Sequence, residues 1–244
     1  MRLRALLAAA ILTITTTPTA WAVAHGSDVL PGQYGFVAKL SMTKIPRPDG
    51  STYSSYCTGA LIAPSWLITT GHCFHDANRN RVSGKVPYPT TATLGLTNEE
   101  TESGIARKAT EVVQANQNDV ALLHLDSPVT TIAPLMVSHA APKVGQQLTL
   151  AGWGSLTSQN PKPATHMQEG TVAIASIAPT TLGVRGAAPD ITTSACTYDS
   201  GAPYFTPEDG LLALEATGPG CPHAGIETTS RTDILTNWIK KTTT

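Results

Sequence analysis

Asp199-Ser200-Gly201, set between Cys196 and Pro203, places a serine hydroxyl in a short polar segment. A serine hydroxyl is a poor nucleophile until a general base lies within hydrogen-bond reach and a third group orients that base. Asp, Ser, Gly and Pro together are also ordinary turn chemistry, so the segment needs partners to mean more. The chain supplies them. His72 stands in Thr69-Thr70-Gly71-His72-Cys73, and Asp119 opens Asp119-Val120-Ala121-Leu122-Leu123. A neutral imidazole must present its free nitrogen to the serine. A carboxylate bonded to the other nitrogen fixes that tautomer and stabilises the imidazolium that forms. Together the three residue types could perform acyl transfer.

The elements that must position them read as strands. Residues 57–73 form two β-rich runs broken by Pro64-Ser65, with His72 at the end of the second. Residues 119–129 are almost continuously apolar at their start, as in a strand buried on both faces. Residues 91–96, 171–177 and 211–215 give further strands, while residues 45–50 and 76–83 read as loops. Near the end, Ile234, Leu235, Trp238 and Ile239 share one helical face, with Asp233 in the first turn and Lys240 and Lys241 in the last. With 244 residues the chain can build one large core or two barrels of about a hundred residues each. Charged residues make up 14% and the net charge is −1, which leaves no electrostatic footprint for nucleic acid.

Residues 1–22 read as a signal peptide: Arg2 and Arg4, an apolar run over residues 5–14, then Ala20-Trp21-Ala22. The apolar run is too short to span a bilayer, and no later segment is long enough. A secreted chain is expected. Its four cysteines read as two disulfides with three possible connectivities. His72, Cys73 and His75 lack a recognised zinc-ligand spacing, so neither a metal nor a cofactor is expected.

The segments around His72, Asp119 and Ser200, in that order, resemble the trypsin/chymotrypsin-like serine proteases. Val23-Ala24-His25-Gly26 and Leu150-Ala151-Gly152-Trp153-Gly154 resemble further segments of that family, and the likeness runs over residues 23–239. It implies an all-β fold of two antiparallel six-stranded barrels packed side by side, with a short C-terminal helix. Residues 23–130 would form the first barrel and residues 131–244 the second, with a linker from residue 127 to about 138. The resemblance also implies disulfides Cys57–Cys73 and Cys196–Cys221, and an oxyanion hole made by the backbone N–H groups of Tyr198 and Ser200. It places Ser194, Glu215 and Gly225 at the specificity pocket. The Val23 amine, once freed, would pair with Asp199. Protein or peptide substrates and proteinaceous inhibitors are the implied partners of a monomer.

Four departures from the family stand out. Tyr198 and Ala202 replace glycines. Ser194 lies at the pocket floor, where trypsin-like members carry Asp. Ala213-Leu214-Glu215 is read as standing where the family has Ser-Trp-Gly, so that Ala213 would lose a hydroxyl supporting Asp119. The alternative to a serine endopeptidase is therefore a catalytically weak, protease-like binding protein. An α/β-hydrolase needs Gly-x-Ser-x-Gly and the order Ser, acid, His, which this chain lacks.

Overall fold

The computed structural model describes residues 23–244, and the expected signal peptide lies outside the described residues. Fourteen strands follow in chain order: β1 (Ser27–Asp28), β2 (Val37–Pro46), β3 (Thr52–Ala63), β4 (Trp66–Thr69), β5 (Gly84–Lys85), β6 (Thr90–Leu94), β7 (Ile105–Gln114), β8 (Ala121–Leu125), β9 (Gln147–Gly152), β10 (Gln168–Ile177), β11 (Thr181–Ala188), β12 (Pro203–Thr206), β13 (Gly210–Thr217) and β14 (Glu227–Arg231). Helix α1 (Thr236–Thr243) closes the chain.

All ladders between these strands are antiparallel. β2-β3-β4-β8-β7-β6 close into one six-stranded barrel, with the two-residue β5 added on β7. β9-β10-β11-β14-β13-β12 close into a second, with β1 added on β10. Closure leaves no long open edge.

Alternation of side chains across each strand explains the continuous apolar run at residues 120–125. Ala121, Leu123 and Leu125 point into the core of the first barrel, while Val120 and Leu122 point into a separate core between the barrels. β13 serves both cores around a bulge at Leu212: Leu212 and Ala213 face the interior of the second barrel, and Leu211 and Leu214 face the inter-barrel core. Phe205 lies at that junction, edge-on to Tyr34 at 5.1 Å and to Phe36 at 5.3 Å.

Three local expectations are corrected. β2 runs on through Pro46 and Ile45 is buried, so the loop begins at Arg47. Residue 96 lies outside β6, which ends at Leu94. Asp233 belongs to a separate 3₁₀ turn, Asp233–Leu235, where it pairs with Arg231, and the α-helix starts only at Thr236. Leu235 and Ile239 dock on the inter-barrel core, whereas Ile234 is 36% exposed. The disulfides are Cys57–Cys73 and Cys196–Cys221. Among the described residues no helix is long and apolar enough to cross a membrane.

Candidate active site

His72 sits in the 3₁₀ turn Gly71–Cys73 just after β4, and Asp119 just before β8. β4 and β8 are neighbours in the sheet, with Thr69 opposite Ala121. That one ladder brings together two residues far apart in sequence. Asp119 Oδ2 lies 2.6 Å from His72 Nδ1, and the His72 backbone N–H donates to Asp119 Oδ1 at 2.8 Å. Both bonds hold the ring in one orientation. On its far side, His72 Nε2 lies 2.9 Å from Ser200 Oγ. Burial opposes ionisation of Asp119. The hydrogen bonds and charge of His72, with Arg81 adding, outweigh it and hold the carboxyl below its ordinary value.

Supporting contacts come from residues that the motifs do not reveal. Arg81 Nη1 donates to the Asn118 carbonyl at 2.8 Å and lies 3.5 Å from Asp119 Oδ1. Gln114 Nε2 donates to the Gly71 carbonyl at 3.0 Å, and Asn118 Nδ2 to the Arg231 carbonyl at 2.7 Å. Thr58 spans the two barrels. Its N–H donates to the Ser200 carbonyl at 2.9 Å and its hydroxyl to the Tyr198 carbonyl at 3.2 Å. Only adjacency to Asp119 could have singled out Asn118 in the sequence; the others carry no local signal.

Gly201 has φ +85°, and a Cβ there would fall 2.1 Å from Thr69 Oγ1 and 2.2 Å from the Thr58 carbonyl. The nucleophile loop can approach the first barrel only because this residue has no side chain. Tyr198 has φ +81°, a region a bulky side chain rarely enters. Its ring packs edge-on against Tyr56 at 5.6 Å. The N–H groups of Tyr198 and Ser200 have no acceptor among the described residues.

Asp199 is fully buried. Its carboxylate accepts the Gly154 N–H at 2.7 Å and the Cys196 N–H at 3.0 Å. Burial nevertheless pushes it up to about 7, and the nearby charge of Glu227 adds to the rise. Val23 is also fully buried, its side chain in the second-barrel core, and the next residue, Ala24, bridges to Ser194.

A cavity of about 280 Å³ opens beside Ser200 and is walled by Ala195, Thr197, Glu215, Thr217 and Gly218 among others. Ser194 and Gly225 are not among its lining residues. Ser194 is 1% exposed, its hydroxyl accepting the His223 N–H at 3.3 Å. Gly225 lies on the outside beside Pro219 and His223. The reading of Ala213 is also corrected. It packs inside the second barrel, opposite Tyr204 and Arg231, away from Asp119. A bulge between Glu215 and Thr217 re-aims the strand, so Ala216 and Thr217 are the residues that border the cleft shared with His72 and Asp119. Glu215 is tied to the nucleophile loop: its carbonyl accepts the Gly201 N–H at 2.8 Å and its N–H donates to the Ala202 carbonyl at 2.9 Å. A third cavity, about 210 Å³, lies along Tyr53, Tyr56, Tyr198 and the Cys57–Cys73 bridge, and also reaches Ser200.

The family model described as Trypsin matches residues 23–239. A suppressor of tumorigenicity 14 protein homolog from Bos taurus is 28% identical over 75% of this chain, which spans 25% of that protein. The chain likewise spans only 39% of serine protease 56 from Mus musculus, at 24% identity over 93% of the chain. Tonin from Rattus norvegicus is 26% identical, with 86% of this chain and 90% of tonin covered. The solved structure of neuropsin, a serine protease expressed in the limbic system of mouse brain, matches in fold with a TM-score of 0.71. It is 19% identical over 90% of this chain and 99% of that one. The family match across nearly all of the described residues settles the classification: the chain belongs to the trypsin family of serine proteases.

Proposed function

We propose that the protein is a secreted serine endopeptidase in which His72, Asp119 and Ser200 cleave peptide bonds through an acyl-enzyme. The observation that carries this reading is the continuous contact Asp119–His72–Ser200, at 2.6 and 2.9 Å. Ser200 Oγ attacks the scissile carbonyl while His72 Nε2 takes its proton, and Asp119 remains ionised beside the imidazolium. The N–H groups of Tyr198 and Ser200 receive the oxyanion. Each such donor contributes roughly 2.7–4 kcal/mol in the transition state. His72 then protonates the leaving amine, and water, activated by the same imidazole, releases the acyl group.

Protein and peptide segments are the proposed substrates, and proteinaceous inhibitors that mimic them the proposed partners. Tyr198 and Glu215 are the features that favour the weak-binder alternative. Fluorophosphonate labelling of the chain beginning at Val23 separates the two. Stoichiometric modification of Ser200 is expected; an unlabelled, folded protein would sink the endopeptidase.

A further inference from the structure

Beside the cavity next to Ser200 lies a group of ionisable side chains that the triad does not use. Tyr204 on β12 places its Oη 2.8 Å from Glu215 Oε2 on β13 and 2.8 Å from Glu227 Oε2 on β14. All three side chains are buried. A phenol has one proton, so it can donate to only one of the two carboxyls. The second contact is a hydrogen bond only if the other carboxyl is protonated and donates to Oη. One proton and one negative charge distributed over the two glutamates would satisfy both contacts.

The cluster reaches the cavity from two sides. Glu215 lines it directly. Glu227 lies behind Gly218, another lining residue: a Cβ on Gly218 would fall 2.9 Å from Glu227 Cγ. Among the described residues, Glu227 Oε1 and His223 Nε2 are buried without a hydrogen-bond partner, although they lie 3.4 Å apart. The former floor candidate, Ser194, is covered and occupied with the His223 amide.

We propose that Glu215 and Glu227, sharing one proton through Tyr204, are the charge-reading element of this pocket, which binds an amine or guanidinium side chain at P1 in exchange for that proton. The proposal rests on the reading of Ser200 as nucleophile, since that places the cavity at P1. In the exchange the cationic side chain enters, the carboxyl O–H of the pair ionises, and its proton leaves to solvent. The pocket then holds two carboxylates against one cation, with the tyrosine hydroxyl still donating to one of them. A neutral P1 side chain releases nothing. Selectivity for a cation therefore grows with pH, unlike that of a pocket whose carboxylate is always ionised.

Five titratable groups bear on that pH dependence. Burial raises Glu227 to about 7; burial, with the charge of Glu227 adding, raises Glu215 well above its ordinary value, and burial raises Tyr204 as well. Asp199, on the nucleophile loop, adds negative charge toward Glu215. His223, on the loop before β14, is lowered by burial, so it too must be separated from the glutamates.

The test compares two peptide anilides that differ only at P1, lysine against the nearly isosteric norleucine, on enzyme whose active sites are counted with a fluorophosphonate. The ratio of their kcat/KM values is expected to rise at least about tenfold between pH 5.5 and 8.5, the equivalent of one pK unit. Glu227→Gln and Glu215→Gln should each flatten that rise, and Tyr204→Phe should move its midpoint. His223→Gln should keep it. A flat ratio in the native enzyme, an unchanged profile in Glu227→Gln, or loss of the rise in His223→Gln overturns the proposal. A binding measurement needs no turnover: n-butylammonium added to Ser200→Ala, followed by calorimetry in buffers of different ionisation enthalpy near pH 6.5. Proton release is expected, and binding without it overturns the dyad even where labelling shows that Ser200 is not the nucleophile.

Discussion

Tyr198 holds a side chain where the backbone has φ +81°, a conformation that costs of order 1–3 kcal/mol for a residue other than glycine. Three contacts hold it there: the edge-on packing on Tyr56, the hydrogen bond from Thr58 to its carbonyl, and its own hydroxyl donating to the Pro161 carbonyl at 3.5 Å. An aromatic pair contributes about 0.5–1.5 kcal/mol, so ring packing and strain are of similar size. The N–H of Tyr198 already lacks a competing acceptor among the described residues. Tyr198→Gly is therefore expected to change kcat on a P1 anilide by less than about tenfold in either direction. A gain larger than that would mean the side chain distorts the oxyanion hole. The triad behaves as a unit, so Ser200→Ala and His72→Ala should each reduce hydrolysis to near background, with the double variant little worse. Full activity in Ser200→Ala would remove the nucleophile assignment.

At the scale of elements, β8 both positions the triad and joins the barrels. Its inward residues fill the first barrel, and Leu122 projects into the core that also holds Trp153, Phe205 and Ile239. Leu122→Ala should destabilise the fold by about 2–5 kcal/mol. It should also lower kcat, since Asp119 and Ser200 come from opposite sides of that core; urea unfolding and anilide hydrolysis check both. An unchanged kcat in the folded variant would argue that the cleft geometry is set by Thr58 alone. Such strands were readable in sequence because apolar side chains at consecutive positions of a short run require two burying surfaces. The His72 and Ser200 segments were readable because a tight approach, as at Gly201, leaves few residue choices. The pocket was not. The bulge at Glu215–Thr217 shifts which residues face the cleft, and nothing in the local pattern of residues 210–217 marks where the strand bends. The Tyr204–Glu215–Glu227 contact crosses three neighbouring strands, β12, β13 and β14, between residues 11 and 23 positions apart, so no local pattern marks it.

For the whole molecule, the buried Asp199 makes the folding equilibrium depend on pH. Burial raises its pKa from 3.8 to about 7, so between those values the folded state binds more protons than the unfolded one. Stability therefore falls as pH rises through that window, by up to roughly 4 kcal/mol at about 1.4 kcal/mol per unit. An amine cation beside Asp199 would reverse the effect. The segment after Val23 is already docked for it: Val23 is buried, Ala24 bridges Ser194, and the Thr193 hydroxyl donates to the His25 carbonyl at 2.8 Å. We propose that a cut after Ala22 frees the Val23 amine to pair with Asp199 and shape the oxyanion hole, with no further processing. The amine's pKa should then exceed the usual 7.7–8.0 or so. Its stabilising contribution is fully present below that value and fades as pH rises through the folded one. Comparing Tm against pH for Ser200→Ala chains that begin at Val23 or carry one extra residue tests this. The extended chain should melt lower between pH 5 and 8, and the two curves should converge on the alkaline side as the amine loses its proton. N-terminal sequencing of the exported protein should read Val23 first. Coincident curves across the whole range would show that Asp199 is held by the Gly154 and Cys196 amides alone, and that the amino end plays no part in activation.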